Sequence, residues 1–298
     1  MKNKNSRKAF RNIAPVCLTA GIAALVFGRG AYGAQLVCRM LISASMAAGL
    51  DIFAGLGQLS LGHAVFAAAG AYSCALISAR TAGSSGIAAG LAAGTAAAVL
   101  LALVSGFALL KLRGDYLALA SLGLCETGRV FMENTDFIGG AAGLYGIPKF
   151  AGPLNTFVLF CFCATVCAVF NGSKSGFISR VVAQDEEAAS SIGIDVRRVK
   201  IAAFTLSACI TALAGGFYGG IFGFISPRDF GCARSVDMLL AVIVGGAGTV
   251  GGPMLAAMLT EAFFAFFPSA AEPRMIIYAL ALIFLTIARR RRVAENGL

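Results

Sequence analysis

The apolar positions of this chain come in long blocks and do not alternate. Residues 81–110, 150–173, 201–227 and 238–260 contain no Asp, Glu, Lys or Arg. A helix that crosses a bilayer core needs about 20 apolar residues, so each block can span. The strands of a membrane barrel would show alternating segments of about 10 residues. The pattern therefore predicts an all-α, polytopic helix bundle. Its segments fall at roughly 13–30, 36–55, 61–80, 87–110, 116–133, 153–171, 200–222, 236–250, 252–267 and 274–289. The eighth and ninth are short, so the count is about 8–10 spans. Between the fifth and sixth lies "ENTDFIGGAAGLYGIPKFAGP" (133–153), a Gly/Pro-rich stretch expected to be irregular.

Composition agrees. The 298 residues are 58% hydrophobic and 13% charged, against about 25% charged in soluble domains, and the mean hydropathy is +0.84. The net charge of +10 could suggest nucleic acid in a soluble protein. Here it reads as cationic loops retained on the cytoplasmic side. With the N-terminus placed inside, sixteen of the 24 Lys and Arg residues fall on cytoplasmic segments. They include Lys2 to Arg11, Lys111, Arg113, Lys174, Arg180, Arg197, Arg198, Lys200 and Arg289 to Arg292. Both termini are then cytoplasmic and the number of spans is even. The opening "MKNKNSRKAFRN" and the apolar run after it resemble a signal peptide, but the many following spans favour an uncleaved first helix. The nine cysteines are scattered without a CxxC pair, and one histidine is too few for an expected zinc site.

The stretch "QDEEAASSIG" (184–193) is out of character. It puts Asp185, Glu186 and Glu187 into an oily chain, in a cytoplasmic loop (172–199) longer than a turn requires. Acids in a first turn are favoured by the helix dipole, and Gly193 is a suitable C-cap. A short helix on the membrane surface is predicted, and such a helix can sit in a partner's groove. A solvated loop whose charge keeps it out of the bilayer is the plain alternative.

At this point a resemblance enters. Glu187, Ala188, Ala189 and Gly193 fit E-A-A-x-x-x-G, which resembles the coupling loop of ABC-importer permeases. The flanks extend it to the LivM-type permeases of branched-chain amino-acid importers. Gly176, Arg180, Asp185, Glu186, Gly193, Ile194, Lys200, Ala203 and Phe204 fit that loop's pattern, while Phe177 and Ala183 stand where arginine is usual. "GLGQLSLGHAVFAAAGAY" (55–72), "LRGDYLALASLGLCETGRV" (112–130), "GGAAGLYGIP" (139–148) and "VGGAGTVGGPMLAAML" (244–259) are similar to the same family in the same order, so the likeness covers about 36–288. The tail "RRRRVAENGL" departs from it. The resemblance implies a type II importer permease: a basic N-terminus (1–12), one transmembrane permease domain (13–289) containing the coupling loop, and a basic tail (290–298). It implies a bacterial inner-membrane location, two cytoplasmic ATPase subunits that carry ATP and Mg, a second and related permease subunit, and a periplasmic solute-binding protein. No cofactor is expected on this chain, and no nucleic-acid partner.

Two Gly-rich breaks interrupt the apolar pattern. In "GLGQLSLGHA", Gln58, Ser60, Gly62 and His63 would give polar edges to a translocation path, since irregular backbone at membrane depth is tolerated only when buried or lining a cavity. Close helix packing through glycine explains the same letters, and a hydrogen-bonded His63 is an alternative to proton transfer. "VGGAGTVGGP" lacks the Lys-Ser/Thr ending of a phosphate loop. Glu126 and Arg129 share a helix face and can pair; intramembrane charge marks Glu126 as a path candidate, with structural pairing the competing reading. The same holds for Asp51. Asp115 is expected to pair locally with Lys111 or Arg113.

The function expected is ATP-driven import of a branched-chain or other hydrophobic amino acid. The same transporter class carrying urea, amides or sugars is the first alternative. An ion-gradient-driven carrier is the second, and it would leave the docking loop unexplained. A membrane enzyme would need a nucleophile–base or metal cluster, which one histidine does not suggest.

Overall fold

A computed structural model describes residues 30–266, apart from 82 and 113. The described part is a helical bundle. Its elements are α1 (Ala31–Ala54), α2 (His63–Arg80), α3 (Ser84–Leu109), α4 (Asp115–Glu133), β1 (Leu144–Tyr145), α5 (Pro153–Gly172), α6 (Lys174–Gln184), α7 (Glu186–Ser191), α8 (Val196–Phe222), β2 (Phe224–Ile225), α9 (Cys232–Gly245) and α10 (Gly251–Phe266). Eight of the expected segments are therefore helices. The first (13–30) and last (274–289), with the basic terminus and tail, lie outside the described residues. Among the described residues, α1, α3, α5 and α8 are each long and apolar enough to cross a membrane, and α10 is a shorter apolar helix.

Several boundaries differ from expectation: α1 starts at Ala31 and not 36, and α8 at Val196 and not 200. The segment expected at 236–250 starts at Cys232 and stops at Gly245, because the Gly-rich stretch after it leaves the helix. The stretch 133–153 is mostly turns, as its glycines suggested. It also contributes β1, which pairs antiparallel with β2 in the register Leu144↔Ile225 and Tyr145↔Phe224. Tyr145 and Phe224 stack across that pair with centroids 4.4 Å apart. The ribbon clips the α4–α5 connection to the end of α8.

Helix α1 is the axis. Every residue from Leu36 to Ala54 is buried except Arg39, and α5, α8, α9 and α10 all pack on it. Helix α3 is peripheral. Its buried residues are Gly86, Gly90, Gly94, Ala98, Ala102 and Gly106, one small residue on every fourth position. The rest of its surface is half-buried or exposed, with Leu100 and Val104 on the exposed side, and suits lipid. Lipid is as apolar as leucine, so close backbone approach through small residues must hold such helices together. A Cβ on Gly94 would sit 2.8 Å from the Gly70 carbonyl oxygen of α2. A Cβ on Gly70 would in turn collide with the Ala212 backbone of α8, and one on Gly215 with Ala67. Three helices thus meet at backbone-to-backbone distance.

Over-packing this seam has a definite cost. Gly94→Leu should destabilise the bundle by about 1–3 kcal/mol, lowering the unfolding midpoint in detergent. Val104→Leu, on the exposed face of the same helix, should leave the midpoint unchanged; equal midpoints for the two variants would refute the packing account.

Candidate functional site

The loop 172–199 folds into two helices. Helix α6 is capped by Ser173, whose hydroxyl accepts the Gly176 N–H. Arg180 turns back to donate to the Asn171 carbonyl at the C-terminus of α5, at 3.0 Å. Helix α7 begins at Asp185, whose Oδ1 accepts the N–H groups of Glu187 (2.8 Å) and Ala188 (3.0 Å), an N-cap. It ends with Gly193 at φ +84. There the Gly193 N–H bonds the Ser190 carbonyl and the Ile194 N–H reaches back to Ala189, which is the Schellman closure. Six residues do not make a stable helix alone; the two caps and the buried Ala189 fix this one.

The two adjacent glutamates face different ways. Glu187, Ala188 and Ile192 are exposed, with Ile192 at 72%. Glu186 points into the protein. Its Oε1 meets Lys200 Nζ at 2.5 Å and accepts from Gln58 Nε2 at 3.0 Å. The Lys200 side chain is 5% exposed, so its charge needs that carboxylate. Gln58 is thus placed against the loop 172–199. Ala183 lies beside Gly57, and Phe177 is exposed.

From Gln58 the chain runs through the first Gly-rich break into the bundle, and the N-terminus of α2 is buried. Its backbone donors are met by serine side chains, two of them from other helices. The Leu61 N–H goes to Ser121 Oγ of α4 (2.9 Å), the Gly62 N–H to Ser60 Oγ (3.3 Å), and the Ala64 N–H to Ser235 Oγ of α9 (3.0 Å). His63 is fully buried. Ser207 donates its hydroxyl proton to the Gly49 carbonyl (2.7 Å) and so must accept from His63 Nε2 (2.7 Å). Nδ1 lies 3.0 Å from Ser60 Oγ and, in a neutral ring, accepts from it. Both nitrogens are satisfied, and the ring is enclosed by Phe53, Phe66 and Phe204. Gly62 lies against α4: a Cβ there would be 2.6 Å from the Ser121 carbonyl.

The second break lies against the first, with a Cβ on Gly55 reaching within 3.6 Å of Gly248 Cα. Asp51 of α1 holds it. Its two carboxylate oxygens accept the N–H groups of Gly248 (2.6 Å) and Val250 (3.0 Å). Val250 has φ +57, a conformation rare and strained for a β-branched residue, and the Asp51 contact helps to keep it there.

Glu126 lies away from these breaks, half-way into solvent. Oε2 pairs with Arg129 Nε at 2.7 Å, and Oε1 accepts the Cys232 N–H at 3.1 Å, capping α9. Arg129 also pairs with Glu133. Asp115 is the first residue of α4; Arg113, one expected partner, lies outside the described residues.

One polar cluster was missed altogether. Arg234 of α9 binds Glu261 of α10 at 3.0 Å and Ser43 of α1 at 3.0 Å, and Ser43 donates to the same Glu261 oxygen at 2.7 Å. Arg39 stands 3.7 Å from the other oxygen, and the Arg234 guanidinium lies over the Tyr218 ring. A cavity of about 20 Å³ adjoins them. Part of the signal was available: Arg39 and Glu261 are isolated charges within apolar segments, where charge is costly and rarely idle.

The sequence profile of the family described as "Branched-chain amino acid transport system / permease component" matches residues 34–287. The chain is 32% identical over 247 residues to the high-affinity branched-chain amino acid transport system permease protein LivM of Escherichia coli K12, covering 71% of this chain and 58% of that protein. It is 28% identical over 118 residues to the LivH permease protein of the same strain, covering 39% of this chain and 38% of the relative. A fructose import permease protein of Rhizobium meliloti, FrcC, is 37% identical over 84 residues, 28% of this chain and 23% of the relative. The chain therefore spans less than two thirds of the curated relatives it matches. No solved structure matches. The profile covers most of the chain, including α1 to α10 and both Gly-rich breaks, and on that ground the chain belongs to the family of permease components of branched-chain amino acid transport systems.

Proposed function

We propose that this chain is the membrane-spanning permease subunit of an ATP-driven importer, with α7 as the helix that docks on an ATPase. The observation that carries the reading is the two-sidedness of α7. It is capped at both ends, tied inward through Glu186, and presents Glu187, Ala188 and Ile192 outward. A solvated loop needs none of these. Exposed small and apolar residues beside one acid are what a groove on another protein can receive. ATP binding would move the docked helix and tilt the bundle between inward- and outward-facing forms, the energy coming from differential binding of the two states. The solute proposed is a branched-chain amino acid, as the names of the LivM and LivH relatives suggest. The partial match to a fructose permease favours a sugar as the second reading. A second permease subunit, two ATPases and a solute-binding protein complete the proposed assembly, in a bacterial inner membrane with α6 and α7 on the cytoplasmic side.

The docking reading is checked by affinity purification of the membrane-embedded chain from its own host. Wild type should retain an ATPase and support ATP-dependent uptake. Glu187→Arg combined with Gly193→Pro should lose both by about tenfold or more, equivalent to ~1.4 kcal/mol of interface energy. Proline cannot adopt the φ +84 of Gly193, so the C-cap is destroyed. Uptake that survives in this variant would favour a gradient-driven carrier.

Sidedness is checked with thiols. In intact cells a membrane-impermeant maleimide should label Asn134→Cys above the background of native thiols and spare Ser190→Cys. Opened membranes should expose both. The reverse labelling would invert the assignment.

A further inference from the structure

Glu186, Lys200 and Gln58 come from three separate segments and share one carboxylate oxygen. Two of them are deeply buried, so the joint is shielded from solvent. Each leads somewhere different. Lys200 belongs to the first turns of α8. Phe204 and Ser207, farther along the same helix, meet His63 through perpendicular rings with centroids 5.7 Å apart and through the 2.7 Å hydrogen bond. Gln58 belongs to the non-helical stretch 55–62. The N–H groups of Leu61, Gly62 and Ala64 at its end are held by serine hydroxyls from α4, from the stretch itself and from α9. A segment fixed by side chains can shift without breaking a helical ladder.

From this juxtaposition we infer that Glu186 is the positioning residue through which a displacement of α7 reaches the bundle along two arms at once: through Lys200 into α8, and through Gln58 into the break that leads α1 into α2. Gln58 is then a transmission residue and not a solute contact. The inference rests on the proposed docking of α7. It adds that the movable element is the α1–α2 break, whose serine contacts extend to α4 and α9. Rigid attachment of α7 to α8 alone would leave Gln58 with no part in transport.

The experiment uses the full transporter, the chain with its ATPase, partner permease and solute-binding protein, in proteoliposomes. Uptake and ATP hydrolysis are measured together with the amount of ATPase retained. Gln58→Leu keeps the Glu186–Lys200 pair and removes only the second arm. It should retain ATPase and hydrolyse ATP at the wild-type rate, while the ratio of solute imported to ATP hydrolysed falls about tenfold, the change that ~1.4 kcal/mol of lost coupling produces. Lys200→Glu should impair uptake, and the exchange Glu186→Lys with Lys200→Glu should restore much of it. Gln58→Leu with Lys200→Met should differ from the sum of the single effects, since both act on one oxygen. A purely structural role would lower ATPase retention, uptake and hydrolysis in parallel and leave the ratio unchanged; that result overturns the inference. Absence of any ATPase on the wild-type chain overturns the importer reading instead, and the two failures are separately visible.

Discussion

Away from water, an N–H or C=O group that leaves a helix must find a partner inside the protein, and leaving one without costs several kcal/mol. The rest of this structure depends on how that constraint is met at its two Gly-rich breaks. Asp51 spends both carboxylate oxygens on the backbone of 248–250. Ser121, Ser60 and Ser235 cover the N-terminus of α2. Ser207 and His63 close a chain of hydrogen bonds from the Gly49 carbonyl to Ser60. A large share of the buried polar residues of this oily chain thus serves the places where backbone regularity fails. That placement argues against reading each of them as a ligand group, and His63 in particular has no nitrogen left over.

Small residues do the complementary work. Where helices are unbroken, as along α3 and at the α2–α8 crossing, glycine and alanine bring backbones into contact. Where they are broken, the same residue type lets Gly55 and Gly248 meet. Packing and path were rival explanations of "GLGQLSLGHA", and the contacts of Gly62 with Ser121 supply the packing one. The two glycine-rich stretches are 190 or so positions apart in the chain, so their meeting is a tertiary fact that follows from the folding of α1 against α9 and α10.

How far the letters could be read follows from the range of each interaction. Helix positions were legible because apolar block length is local, and so was the C-cap of α7, since Gly193 acts on residues beside it; Asp185, read as a first-turn acid, is the N-cap. The Glu126–Arg129 pair was legible by its three-residue spacing. Gln58 and Glu186 lie 128 positions apart and Ser43 and Glu261 lie 218 apart; no periodicity links such pairs. The β1–β2 ribbon escaped for the same reason, with two-residue strands too short to show alternation. The resemblance to the permease family did flag Lys200 and Phe204, but as letters. Their partners show why those letters suit the site: a lysine that meets Glu186 and a phenylalanine packed on the edge of the His63 ring.

Adjacent glutamates in "DEEAA" face different ways. Neighbouring side chains on a helix point about 100° apart, and here Glu186 turns to the bundle while Glu187 is exposed. If both faced outward, α7 would be held only by its caps and Ala189. With Glu186 turned inward onto a buried lysine, the exposed face carrying Glu187 and Ile192 is also tied to α8. The acidic stretch is thus less a charged surface than a joint, in which Glu187 lies on the exposed face and Glu186, one residue away, is committed to the fold.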